Sequence, residues 1–199
     1  MTDRPTTPAY QKGTPERRTL EHRRCAIIVG HDPGGGAEGE RQWNIELAKH
    51  LSYQLQIRGA MTMIYHHRLR PYGARQRAMA AAVVESIGRG HPCIELHYNA
   101  VESPDPKGHH FQYRGYPSLA ASIRDHWQRK YPESIARRDN GTFHNIRGNG
   151  SGFLRMAPGP ACLVEPFFRS NPEEWEFYRN RQREVAEVYA LGIEQFLRS

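Results

Sequence analysis

The sequence predicts an α/β protein, a three-layer sandwich whose mostly parallel central sheet is covered by helices on both faces. Three observations carry that expectation. Short apolar runs alternate with longer segments of helical periodicity, in the order β, α, β, α, β, a polar insert with a helix, β, α. Such alternation implies parallel strands joined by helical, right-handed crossovers. Two of the runs, Cys25-Ala-Ile-Ile-Val-Gly-His31 and Cys162-Leu-Val-Glu-Pro-Phe-Phe168, lack polar alternation, as strands buried on both faces do. Finally, 199 residues suit one core and leave little for a second.

Taken in order, residues 1–24 are rich in Pro, Thr, Arg and Glu and offer almost nothing to bury. A flexible arm is expected there, with one folded domain over 25–199. The first strand runs to His31. Residues 42–57 place Trp43, Leu47, Leu51 and Leu55 about one helical turn apart. Ala60-Met-Thr-Met-Ile-Tyr65, entered through Gly59, is the next strand, and the Ala-rich segment 74–88 with Met79, Val83 and Ile87 the next helix. Cys93-Ile-Glu-Leu-His-Tyr-Asn99 alternates, with Ile94 and Leu96 on one face and Glu95 and His97 on the other. A helix over 116–131 carries Leu119, Ile123 and Trp127. A last helix over 173–197 carries Trp175, Tyr178, Val185, Tyr189, Ile193 and Phe196. Asn171, Pro172, Glu173 and Glu174 open it with a cap, a preset first residue and acidic charge against the helix dipole.

The net charge of +7 suits a polyanionic partner, whether nucleic acid, an acidic membrane face or an anionic wall, and does not choose among them. No apolar run approaches the ~20 residues of a membrane span. The first 24 residues lack the apolar stretch of a secretory signal, so synthesis in the cytoplasm without a leader is expected. The three cysteines, none in a CxxC pair, argue against a disulfide framework and are read as buried strand residues.

In parallel sheets, ligands bind outside the carboxyl ends of the strands. His31, His97 and Glu165 each stand at or near such an end. Two imidazoles and a carboxylate make a common catalytic zinc set, and zinc lowers the pKa of its water to about 7. A further carboxylate must then move protons. Glu165, Glu38, Glu40 and Glu46 are all within the relevant segments, and spacing leaves open which binds and which catalyses. Glu165, in Leu-Val-Glu-Pro-Phe, has an apolar setting expected to raise its pKa, which suits an acid/base group. Glu46 is expected to face solvent. The pairs His66-His67 and His109-His110 lack a third ligand at recognisable spacing and are read as surface or groove residues. Arg75 and Arg77 are read as a solvated helix face.

Four stretches resemble the zinc-dependent N-acetylmuramoyl-L-alanine amidases of the amidase-3 type. Val29-Gly-His-Asp-Pro-Gly-Gly-Gly-Ala37 is similar to their opening Gly-His, Asp-Pro-Gly-Ala loop. Glu40-Arg-Gln-Trp-Asn44, followed by Leu47-Ala-Lys-His-Leu51, is similar to a Glu-x-x-x-Asn helix start. Ile94-Glu-Leu-His-Tyr-Asn-Ala100 is similar to an Ile-Ser-Ile-His-Ala-Asn-Ala strand. Leu163-Val-Glu-Pro-Phe-Phe-Arg-Ser-Asn-Pro-Glu-Glu174 is similar to Val-Glu-x-Gly-Phe-x-Ser-Asn-Pro-Glu-Glu.

The resemblance implies one zinc ion on His31, Glu40 and His97, with Glu165 as general base and acid. It implies hydrolysis of the amide between N-acetylmuramic acid and L-alanine in peptidoglycan. Arg155 stands where the family often has Val-Leu-Arg and is a candidate either for holding a substrate carboxylate or for a structural ion pair. The expected partner is peptidoglycan, met by a monomer without nucleic acid or membrane insertion. A basic, leaderless single domain looks like a phage lysin that acts on the wall after release. The rival expectations are another zinc peptidase, such as a carboxypeptidase, and an inactive wall- or nucleic-acid-binding module.

Overall fold

The computed structural model describes residues 19–68 and 71–199. Most of the expected arm, residues 1–18, lies outside the described residues. Leu20 is buried in the core and β1 begins at Arg24, so the described fold reaches back into the segment read as arm.

A six-stranded sheet forms the middle layer, in the order β2-β1-β3-β6-β4-β5. Its strands are β1 (Arg24–Val29), β2 (Met61–His66), β3 (Cys93–Leu96), β4 (His110–Tyr113), β5 (Thr142–His144) and β6 (Ala161–Glu165). β2, β1, β3 and β6 are parallel neighbours; β4 runs antiparallel to β6, and β5 parallel to β4. The α/β sandwich with a mostly parallel sheet is therefore the observed fold.

Helices α1 (Glu40–Ile57), α3 (Pro117–Lys130) and α7 (Gln182–Arg198) cover one face, where Leu47, Leu51, Ile123, Trp127, Tyr189 and Ile193 join Ile27, Ile94 and Val164 in one core. Helices α2 (Tyr72–Ile87) and α5 (Ser151–Met156) cover the other, packing Met79, Val83 and Phe153 on Ala26, Ile28 and Leu163. Strand alternation feeds the two cores: Ile27 and Ile94 go one way, Ile28 and Cys93 the other. Cys25, Cys93 and Cys162 are free and buried, as the odd count suggested. Among the described residues, no helix is long and apolar enough to cross a membrane.

Two expectations need correction. The polar insert holds more than a helix: β4, the short α4 turn (Arg138–Gly141), β5 and α5 all lie there. His110, Phe111 and Gln112 are buried on a strand whose polar side chains hid it from a hydropathy reading. The single C-terminal helix is two, α6 (Pro172–Tyr178) and α7, broken at residues 179–181. The break lets Tyr178 stack on Phe167 at 5.0 Å while α7 takes its own direction across α1 and α3. The predicted cap is present, with Asn171 Oδ1 accepting the Glu174 amide at 3.1 Å.

Candidate active site

The register of the central strands brings the chemistry together. Val29 pairs with Leu96, and Leu96 with Val164. One residue further along β3 and β6, and two further along β1, the chain reaches the same edge, where His97, Glu165 and His31 emerge. The segments after β3 and β6 stay zipped: the Asn99 amide donates to Phe167 O at 2.9 Å, and the Arg169 amide to Asn99 O at 2.7 Å. Beneath them Trp43, Tyr98, Phe167, Trp175 and Tyr178 form a continuous aromatic layer, with successive ring centroids 5.0–6.3 Å apart. That layer ties the loops to α1 and α6.

His31 has a left-handed backbone (φ 62°), uncommon for a residue with a Cβ, and this turns the chain sharply as it leaves β1. The glycine-rich loop then returns to Glu40, the first residue of α1 and 3 % exposed. Gly36 is part of that return: at φ 82°, a Cβ there would lie 2.6 Å from His31 Cδ2 and 2.9 Å from Glu40 Oε2. The Glu40 carboxylate is anchored from behind. Oε2 accepts the Ala37 amide at 3.0 Å and Oε1 the Tyr98 amide at 3.3 Å.

Three donor atoms converge in front of it. His31 Nε2 lies 3.2 Å from Glu40 Oε1, His97 Nδ1 3.0 Å from the same oxygen, and the two nitrogens are 3.2 Å apart. Ligands about 2.0–2.1 Å from a tetrahedral zinc ion are separated by roughly 3.3 Å, so the donor set fits such an ion in both chemistry and spacing. The protonation tendencies agree with a strongly coupled cluster. Burial opposes charge on Glu40, but hydrogen bonds from His31 and His97 hold its carboxyl down at about 2. Burial likewise opposes charge on His97, yet Glu40 and Glu95 raise it to about 10. A buried pair of carboxylates around one imidazole calls for positive charge.

Glu165 ends β6. Its Oε2 accepts Gln112 Nε2 at 2.7 Å and lies 2.5 Å from His110 Nε2. Gln112 is held in turn by Asn145, whose Nδ2 donates to Gln112 Oε1 at 2.5 Å. Burial pushes the Glu165 carboxyl up, as its apolar setting in the sequence suggested, but the hydrogen bond and charge of His110, with help from His97 and Gln112, bring it below its ordinary value, against that expectation.

The other residues singled out in the sequence divide: Glu46 lies outward as expected, whereas Arg75, His67, His109 and His110 sit elsewhere than expected. Glu38 is exposed and contributes only its carbonyl, which accepts the Tyr98 hydroxyl at 2.6 Å. Glu46 bonds Lys49 at 2.8 Å on the outer face of α1. Arg155 is exposed on the last turn of α5 and has no ion-pair partner among the described residues. Arg75 is not merely solvated: it is half-buried and grips Asp32, next to His31, at 2.8 Å. His67, His109 and His110 are buried rather than surface residues. His110, Gln112, Glu95 and His67 are the site's polar support that the sequence reading missed. Their one signal was polar side chains in or beside strand-length runs, readable only once the sheet order is known: β4 beside β6 for His110 and Gln112, β2 and β3 flanking β1 for His67 and Glu95.

Comparison with known proteins bears on the family and the fold. The sequence profile of the Amidase_3 family, described as N-acetylmuramoyl-L-alanine amidase, matches residues 26–195. No curated protein sequence matches the chain significantly. Among solved structures, the amidase AmiC2 of Nostoc punctiforme is 21 % identical with a TM-score of 0.74, covering 89 % of this chain and 98 % of that one. The catalytic domain of an endolysin targeting Clostridia difficile is 22 % identical with a TM-score of 0.72, covering 87 % and 98 %. The catalytic domain of an N-acetylmuramoyl-L-alanine amidase from Paenibacillus polymyxa is 19 % identical with a TM-score of 0.71, covering 88 % and 98 %. The chain belongs to the Amidase_3 family of N-acetylmuramoyl-L-alanine amidases, peptidoglycan hydrolases that cut the amide between N-acetylmuramic acid and the L-alanine of the stem peptide.

Proposed function

We propose that the chain carries out this hydrolysis with one zinc ion on His31, Glu40 and His97, and with Glu165 as general base and acid. The observation that supports it most is the convergence of His31 Nε2, Glu40 Oε1 and His97 Nδ1 at 3.0–3.2 Å. When bound, zinc polarises the scissile carbonyl and brings the pKa of water to about 7. Glu40 supplies negative charge to the site through Oε1 while the Ala37 amide keeps Oε2 turned away. Glu165 takes a proton from the attacking water and delivers it to the departing alanine amine. His110 and Gln112 hold its Oε2, which leaves Oε1 for that transfer. Arg155, exposed and without an ion-pair partner among the described residues, is assigned a substrate carboxylate through a bidentate contact.

The catalytic domain, expected over 25–199 and extended back to Leu20 by the core, works as a monomer on peptidoglycan, with neither nucleic acid nor membrane insertion in its activity. Its charge of +7 draws it to an anionic wall. The role is that of a lysin made in the cytoplasm and acting on the wall after release, a reading supported by the endolysin domain among its structural neighbours.

Digestion of purified peptidoglycan followed by mass analysis tests the proposal. Wild-type protein should release stem peptides with a free alanine amine, lose this activity to a chelator and regain it with zinc. Glu165→Gln should retain zinc and lose roughly 10²–10⁴ in rate, and Arg155→Ala should raise KM with little change in kcat. An undiminished rate in Glu165→Gln removes the mechanism.

A further inference from the structure

Behind His97 lies a second buried carboxylate that the hydrolysis above does not use. Glu95 is on β3, two residues before His97 and on the same face, and is 4 % exposed. Its Oε1 lies 3.1 Å from His67 Nε2 and its Oε2 3.5 Å from His97 Nε2. His67, just after β2, is 2 % exposed and packs edge-on against Tyr65, ring centroids 5.4 Å apart. Among the described residues, no lysine or arginine pairs with Glu95. A carboxylate buried that deeply without a cation is costly, and here its polar neighbours are two imidazoles.

The His97 ring is engaged at both ends. Nδ1 faces His31 and Glu40, and Nε2 faces Glu95. An imidazole that gives its Nδ1 lone pair to a cation keeps its proton on Nε2, and a buried N–H needs an acceptor. Glu95 Oε2 is placed to be that acceptor, a few tenths of an ångström from ordinary hydrogen-bond length. The charges also close: Glu40 and Glu95 together carry the two negative charges that a divalent cation balances.

We propose that Glu95, held by His67, is a positioning residue that fixes the tautomer and orientation of His97 and completes the charge balance of a divalent cation on His31, Glu40 and His97. The inference rests on the zinc reading above. It is tested by zinc affinity, measured by competition with a chromophoric chelator, on wild type and on His31→Ala, Glu95→Gln, Glu95→Asp and His67→Phe, with circular dichroism to confirm folding. Long-range nitrogen–proton NMR of the zinc-loaded proteins reads the His97 tautomer.

Wild type should bind one zinc ion and His31→Ala should lose it. Glu95→Gln should bind roughly 10–100-fold more weakly, the usual effect of removing such a partner. Its His97 Nε2–H signal should shift or broaden. Glu95→Asp, which keeps the charge but shortens its reach, and His67→Phe should fall in between, and they carry the test should Glu95→Gln not fold. Wild-type zinc affinity in folded Glu95→Gln, or in both other variants, overturns the inference while leaving the zinc site standing. Zinc binding that is absent from wild type, or unaltered in His31→Ala, overturns the zinc reading itself, and this inference with it.

Discussion

One methyl group at Gly30 should be enough to undo the site. A Cβ there would lie 2.3 Å from Leu96 O, 2.4 Å from His97 Cε1 and 2.6 Å from His97 Nε2. Non-bonded carbon contacts are comfortable only near about 3.5–4.0 Å, so the overlap in Gly30→Ala is of the order of 1 Å. The carbonyl cannot swing aside, because it belongs to β3 and accepts the Gly30 amide at 3.0 Å. Relief therefore requires β1 and β3 to part at their carboxyl ends and the His97 ring to leave its place. The lost hydrogen bond costs about 0.5–1.5 kcal/mol and the overpacking about 1–3 kcal/mol. The expected destabilisation is about 2–4 kcal/mol, or roughly 4–16 °C in thermal midpoint for a chain of this size. Moving the His97 ring by even ~1 Å should also cost roughly 10² in rate. Urea unfolding and dye release from labelled peptidoglycan measure the two effects. Gly73→Ala is the control: a Cβ there meets only Arg77 Nη1 at 3.5 Å, in the first turn of α2. Were Gly30→Ala to match Gly73→Ala in both measurements, the close approach of β1 to His97 would not be what shapes the site.

Two further perturbations probe the core and the acid limb. Trp127→Ala removes a fully buried ring that packs on Tyr131 at 4.5 Å and Tyr178 at 5.5 Å, and whose Nε1 donates to Ser134 Oγ at 3.2 Å. It should cost about 3–5 kcal/mol in urea unfolding, and a loss under 1 kcal/mol would contradict the packing described. Glu165 has a folded pKa below its unfolded value of about 4.3, so it adds stability that is present above that pH and is lost as pH falls through the folded pKa. In metal-free protein, the stability gap between wild type and Glu165→Gln should narrow as pH falls below about 4.3; a gap that widens on acidification refutes the role given to His110 and Gln112.

The site was legible in parts. His31 and His97 stood out because each closes an apolar run, and Glu165 because a carboxylate in Leu-Val-Glu-Pro-Phe has no local reason to be there. Which glutamate joins the histidines was not legible from spacing: Glu38, Glu40 and Glu46 all lie within reach of the loop. The left-handed turns at His31, Gly36 and Gly39 decide it, sending Glu38 to solvent and Glu40 inward. Arg75, His67 and His110 looked like surface residues because their partners, Asp32, Glu95 and Glu165, are 28–55 positions away.

Local pattern alone determined the α/β class, the parallel β1, β2, β3 and β6, the covering helices and the capped start of α6, because hydrophobic periodicity and capping act over a few residues. Only the tertiary structure decided the antiparallel β4, the break between α6 and α7, and the meeting of His97 with residues 57 and 66 positions away. Those depend on strand register and on which buried polar groups find one another across the sheet. Neither is written in any short stretch of chain.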